Sequence, residues 1–196
     1  MQIDLTGQTA RIAGAAGPVC AALGDRLAHS GATLIGAGVP DLLILSAPLV
    51  KTAGFDWASL SDNARDMGAA MQARGAGRIL VLLPACAALP MRRTPVLSMQ
   101  AAALLAVVRT LAMTVAPQVA VNALGLGAIS EGEAPVSGNA AMIGHASVGH
   151  ASVGGAGSLA KACDTALFLC DRDDTYLTGQ MLTADGGWAA GYGRSF

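Results

Sequence analysis

The stretch DLLILSA, residues 41–47, is one acidic residue followed by an almost unbroken apolar run. A strand with one face in water alternates apolar and polar side chains. A strand of a parallel sheet covered on both faces has no need to, so this run reads as such a strand. RILVLLP, residues 78–84, repeats the pattern, and TARIAG (9–14), VAVNAL (119–124) and QMLTADG (180–186) read as further strands. Helical stretches lie between them. PVCAALGDRLAHSG (18–31) opens on proline and ends on glycine, and 56–75 is closed by Gly75. Residues 94–116 take Thr94 as N-cap with Pro95 in the first turn, and SLAKACDTALFLC (158–170) is the last helix. Alternating strands and helices at this spacing predict a doubly wound parallel α/β sheet, one domain over 1–196.

Composition narrows the function. The chain has 196 residues with 12 basic and 13 acidic side chains, a net charge of −1, and no long run of either sign. That argues against nucleic acid or an anionic membrane surface as its main partner. Only 13% of residues are charged while 53% are hydrophobic, and mean hydropathy is +0.52. No apolar run is expected to reach the roughly 20 uninterrupted residues of a membrane span. The start MQIDLTGQ lacks a signal-peptide shape, so a cytoplasmic location is expected. A chain so poor in charge is expected to hide surface against other subunits. Cys20, Cys86, Cys163 and Cys170 form no C-x-x-C pair and read as small buried hydrophobes, with no metal site.

Two segments are unusual. Residues 127–157 are rich in Gly, Ala and Ser, and His145 to Gly149 is repeated as His150 to Gly154. With no acidic or thiol group nearby, the repeat reads as a duplicated flexible loop rather than a ligand pair. Upstream, only Val39 and Pro40 separate ATLIGAG (32–38) from DLLILSA. A parallel crossover takes a dozen or more residues, whereas residues 36–40 span about 17 Å at full stretch. Residues 32–38 must therefore be a stub or a connector.

The C-terminal TYLTGQMLTADGGW (175–188), the turn in VAVNALGLGAI (119–129) and the opening LTGQTARIAGAAGPV (5–19) together resemble the short-chain dehydrogenase/reductase family. The resemblance covers nearly the whole chain. It implies a Rossmann-like sheet shortened by a helix, a strand and a second helix, roughly 40 residues. It also implies where the family's chemistry would sit. Its Tyr-x-x-x-Lys pair falls on Leu97 and Ala101, and its serine on Pro84. Its glycine-rich loop corresponds to Ala13, Gly14, Gly17, Pro18 and Cys20, the last glycine being replaced by Cys20. Its asparagine turn falls on Leu45 to Pro48 and its Pro-Gly turn on Leu126 and Gly127. Leucine and alanine exchange no proton, and proline donates none. Shifting the register restores nothing, because the only tyrosines are Tyr176 and Tyr192, and neither precedes a lysine by four.

The expectation is therefore a chain without catalytic residues and without a cofactor of its own. It would pair with an active NAD(P)-dependent paralogue in a hetero-oligomer, most simply a heterotetramer. Heteromeric β-hydroxyacyl-CoA dehydrogenases, such as the hydroxybenzylsuccinyl-CoA dehydrogenase of anaerobic toluene degradation, supply the analogy. Within 101–115 only Arg109, Thr110 and Thr114 are polar, so this helix is expected to be covered on both sides. Expected interface residues are Leu104, Val108, Leu111, Val115, Leu167, Trp188, Tyr192 and Phe196. Three alternatives stand beside this reading. They are a compact monomer, a small-molecule sensor or scaffold built on a vestigial cleft, and a new active site drawn from Ser98, His145 and His150, or from Glu131 and Glu133.

Overall fold

Residues 3–131, 134–135, 156–171 and 176–190 are described by the computed structural model. The large sheet holds β1 (Thr9–Gly14), β2 (Thr33–Leu34), β3 (Leu42–Ser46), β4 (Gly77–Pro84), β5 (Val119–Leu126) and β9 (Met181–Ala184), in the order β2-β1-β3-β4-β5-β9. Every pairing in it is parallel. Helices α1 (Pro18–His29) and α4 (Leu159–Cys170) cover one face, and α2 (Trp57–Arg74) and α3 (Pro95–Val115) the other. The period of two in a strand divides the apolar runs cleanly. Leu43, Leu45, Ile79, Val81 and Leu83 pack under α2 and α3, while Leu42, Ile44, Leu80 and Leu82 pack under α1 and α4. Burying each such side chain contributes about 2 kcal/mol, which is why these strands carry no polar alternation.

The connection of residues 32–41 works because β2 is only two residues long. Leu34 lies beside Ala10 of β1, and β3 begins with Leu42 beside the same Ala10. The chain leaves β1 at the Ile35 N–H to Ala10 O bond and rejoins it at the Asp41 N–H to Thr9 O bond. It has no height to recover. It needs only to cross from one side of β1 to the other, about 10 Å, which a handful of residues spans easily. Three side chains hold the crossing. Arg11 donates to the Gly38 carbonyl, Arg74 at the end of α2 donates to the carbonyls of Val39 and Pro40, and Asp41 accepts from the N–H and hydroxyl of Thr9.

Helix ends follow the chemistry of their sequences. The Asp56 carboxylate accepts the Ser59 N–H at the start of α2, and Gly75 closes it in the left-handed region at φ 92°. Ser158 caps α4 through the Lys161 N–H. Thr94 is the N-cap of α3, but its hydroxyl caps nothing. Two expectations need correction. Part of 127–157 is ordered as a small sheet of β6 (Ile129–Glu131), β7 (Ala134–Pro135) and β8 (Gly157–Ser158). The His145 and His150 repeat lies outside the described residues. And α3, at 21 residues, is long and apolar enough to cross a membrane by length and composition; here nine of its residues are buried against the sheet and its neighbours.

Candidate functional site

In a doubly wound sheet, ligands are met at the carboxyl ends of the strands. Here the ends of β4 and β5 are filled, while Gly14, Ala16 and Gly17 after β1 are exposed. Pro84 closes β4 and is buried, and the chain passes through a single 3₁₀ turn, Ala85–Ala87, towards α3. Leu97 and Ala101, in the first turns of α3, are 2% and 0% exposed. They share one apolar cluster with Ala85, Cys86, Met91 and Trp188. Leu126 and Gly127 leave no opening either. Gly127 donates its N–H to the Ala184 carbonyl, and a Cβ on it would lie 2.7 Å from the Asp185 Cα. The Asp185 carboxylate is itself committed, accepting the N–H groups of Gly187 and Ala189.

Ser98 is no displaced nucleophile. It is buried, its hydroxyl donates to the Thr94 carbonyl at 3.0 Å, and the same oxygen accepts the Met91 N–H at 3.0 Å. It ties the loop before α3 onto the helix, the task the Thr94 hydroxyl leaves undone. Burial raises the pKa of the neighbouring Cys86 thiol, against a smaller opposing effect of the Ser98 hydroxyl, so the cysteine is held neutral. Glu133, His145 and His150 lie outside the described residues. Among the described residues no group of three or more His, Cys, Asp or Glu stands close enough to hold a metal.

The glycine-rich loop keeps one feature of a phosphate cradle and loses others. Gly14 has φ 103°, and a Cβ there would lie 2.3 Å from the Ser46 carbonyl oxygen, so only glycine fits. Gly17 is the N-cap of α1, with Pro18 following as the first helical residue. That proline removes one of the free N–H groups a phosphate would meet at a helix start. The Cys20 thiol donates to the Ala15 carbonyl at 3.4 Å, and burial raises its pKa despite the nearby Ser46. Ala13 is half-buried against the α2–α3 side of the core. Beyond β1 the sheet has only the two residues of β2, both exposed, where a nucleotide's adenosine half would need a wall.

A family model described as Enoyl-(Acyl carrier protein) reductase matches residues 49–189. The chain belongs to the short-chain dehydrogenase/reductase family. Solved structures agree on the fold. It is similar to a putative NAD(P)-dependent gluconate 5-dehydrogenase from Beutenbergia cavernae with bound NADP, with a TM-score of 0.75 and 22% identity. The match covers 97% of this chain and 100% of that one. A Serratia marcescens short-chain dehydrogenase/reductase gives a TM-score of 0.70 and 19% identity over 94% and 99% of the two chains. A 7α-hydroxysteroid dehydrogenase complexed with NADH and 7-oxo glycochenodeoxycholic acid gives 0.68 and 18% over 95% and 96%. No curated protein matches the chain.

The expected interface needs redrawing. Leu104, Val108, Leu111 and Val115 all lie in the chain's own core under α3, none more than 6% exposed. Leu167 is buried between α4 and the sheet, and Trp188 seals the filled strand ends. None of the six offers a surface to a partner, and Tyr192 and Phe196 lie outside the described residues. The sequence showed that α3 is apolar all round but not which side faces the sheet. The outward side carries Val96, Met99 and Met113 instead.

Proposed function

We propose that this chain is a non-catalytic subunit of a hetero-oligomeric short-chain dehydrogenase. It would assemble with and stabilise an active NAD(P)-dependent paralogue that oxidises a hydroxyacyl-CoA or a similar alcohol. One observation carries the reading. The three positions matching the family's serine, tyrosine and lysine hold Pro84, Leu97 and Ala101, and all three are buried in apolar surroundings. A proton donor cannot act from a position that holds no titratable group and meets no solvent.

The residues present do not fit a nicotinamide dinucleotide. Pro18 and Cys20 stand in the phosphate loop, the turn at Gly127 is packed shut on Asp185, and the two-residue β2 leaves the adenosine half without a wall. The cofactor of the complex then belongs to the partner. The intact sheet, with its exposed apolar α3 face, is what the chain has to offer.

Co-expression with an intact short-chain dehydrogenase, sought first in the reading frames next to this one, tests this reading. Co-purification as one complex, with dehydrogenase activity lost when the partner's own tyrosine is changed, is expected. Saturable NADH or NADPH binding by this chain alone, or a neighbour that is stable, active and never bound by it, overturns the proposal.

A further inference from the structure

Helix α3 begins in positive surroundings that nothing offsets. No Asp or Glu occurs between Asp66 and Glu131, whereas Arg74, Arg78, Arg92, Arg93 and Arg109 fall in that stretch. Arg74 is paired with Asp41, and Arg78 is buried in the fold. Arg92 and Arg93 are the two central residues of the turn that leads into α3, closed by the Thr94 N–H on the Met91 carbonyl at 3.1 Å. Both are exposed, and among the described residues neither makes an ion pair or a hydrogen bond.

Cations are misplaced at this end of a helix. Aligned peptide dipoles put the equivalent of about half a positive charge at the N-terminus, which favours anions there and disfavours guanidinium groups. The first turn of α3 carries no acidic side chain to offset it. Pro95 has no N–H, and the N–H groups of Val96 and Leu97 meet no carbonyl one turn back, the first such bond being Ser98 to Thr94 at 3.0 Å. Thr94 is a second and independent sign. It is the N-cap, the position from which a side-chain oxygen reaches the first N–H groups of a helix. Yet it is only 6% exposed and its Oγ1 has no hydrogen-bond partner. A buried hydroxyl left idle is costly, and native structures keep few. The nearby Ser98 hydroxyl cannot relieve it, being spent on the Thr94 carbonyl and the Met91 N–H.

Two guanidinium groups, two open N–H groups and one idle hydroxyl thus stand together at the start of α3, and every one of them can donate to a negative oxygen. Two unpaired positive charges call for a dianion rather than a single carboxylate. Tetrahedral phosphate oxygens also let the arginine forks and the backbone N–H groups bind separate atoms. We infer that the start of α3 binds a phosphoryl group, held by Arg92, Arg93 and the N–H groups of Val96 and Leu97. A turn of Thr94 about χ1, from one staggered rotamer to another, lets its hydroxyl donate to the same group. This site follows β4 and is separate from the glycine-rich loop at Gly14 and Gly17, which follows β1. The inference goes beyond the proposed function and does not rest on it.

Titrating the isotope-labelled chain with inorganic phosphate at constant ionic strength should give saturable NMR shifts of the Val96 and Leu97 amides, with a dissociation constant of about 1 mM or tighter. Arg92→Gln/Arg93→Gln, two surface changes, should weaken the binding about tenfold or more. Thr94→Val keeps the shape of the side chain and removes its hydroxyl; with an unchanged circular dichroism spectrum it should weaken binding about threefold. Acetate should bind about tenfold more weakly than phosphate. Phenyl phosphate bound more tightly than inorganic phosphate assigns the natural ligand to a phosphate monoester, and the reverse order assigns it to the free ion. Shifts that never saturate, or that centre on Gly14 and Gly17, overturn the inference. So does undiminished binding in either variant, or acetate bound as tightly as phosphate. All of this is read on the chain alone and recruitment of a paralogue by co-purification, so the two proposals fail independently.

Discussion

Arg74, the last residue of α2, lies 3.1 Å from the Asp41 carboxylate, one residue ahead of β3. Its guanidinium also holds the Val39 and Pro40 carbonyls, so one side chain fastens the short connection that replaces a helix, a strand and a second helix. Arg74→Ala should lower stability by about 1 kcal/mol in urea unfolding, a modest figure because both side chains are more than a third exposed.

The same pair predicts a pH dependence. Burial raises the Asp41 pKa, but the Thr9 N–H, the Thr9 hydroxyl and the Arg74 guanidinium together lower it further, leaving it below the ordinary value. A carboxyl with a depressed folded pKa contributes stability above its unfolded value, near 4, and loses it as pH falls through the folded one. The urea midpoint should drop as pH falls below about 4. Asp41→Asn should be less stable at neutral pH and show a smaller acid-induced drop. An identical acid profile in wild type and variant would assign that drop elsewhere.

The two sides of α3 should respond oppositely to truncation. Leu104→Ala and Leu111→Ala remove core side chains and should each cost about 2–4 kcal/mol of protomer stability. Met99→Ala and Met113→Ala, on the exposed side, should change it by less than about 0.5 kcal/mol. Equal losses on the two sides would mean that α3 sits on the sheet in another rotation.

Restoring the family's catalytic pair should damage the protein rather than revive it. Ala101 is fully buried, so Leu97→Tyr/Ala101→Lys places an ammonium group in the apolar core and should cost about 3 kcal/mol or more. On the proposed reading no hydride transfer to or from NAD(P) should appear. Turnover by the double variant would show that the cleft opens.

Cysteine chemistry gives an independent check on the α1–α4 face. Complete burial pushes the Cys170 thiol up to about 12, with Arg78 opposing weakly, so at pH 8 about one molecule in ten thousand carries its thiolate. Mass spectrometry after alkylation of the native protein should find Cys170 unmodified, and urea should expose it. Rapid modification without denaturant would contradict the packing of α4 on the sheet.

Much of the architecture was legible in the sequence because its signals are local. The unbroken apolar runs at 42–46 and 78–84, the glycine that ends α2 and the proline that opens α3 act over a few residues, and each element lies within a residue or two of its expected place. For the site the sequence shows only that neither of its two tyrosines stands four residues before a lysine, so no Tyr-x-x-x-Lys pair occurs in it. The small sheet of β6, β7 and β8 was missed. Its strands are two or three residues long and leave no period to detect.

The sequence by itself determined the order of elements, the double-sided burial of β3 and β4, and the residues standing at the family's reactive positions. Tertiary structure alone decided how residues 35–41 cross β1 and which flank of α3 lies inside. Both are relations between residues distant in the chain. The crossing depends on Arg74 meeting Asp41, 33 positions away. Polarity marked the orientation of α3 only in its second half, where Arg109, Thr110 and Thr114 are all exposed; its first half, with Val96, Met99 and Ala103 outward, carries no such mark. Only the fit of Leu104, Val108 and Leu111 into the sheet sets that rotation, leaving Met99 and Met113 in solvent.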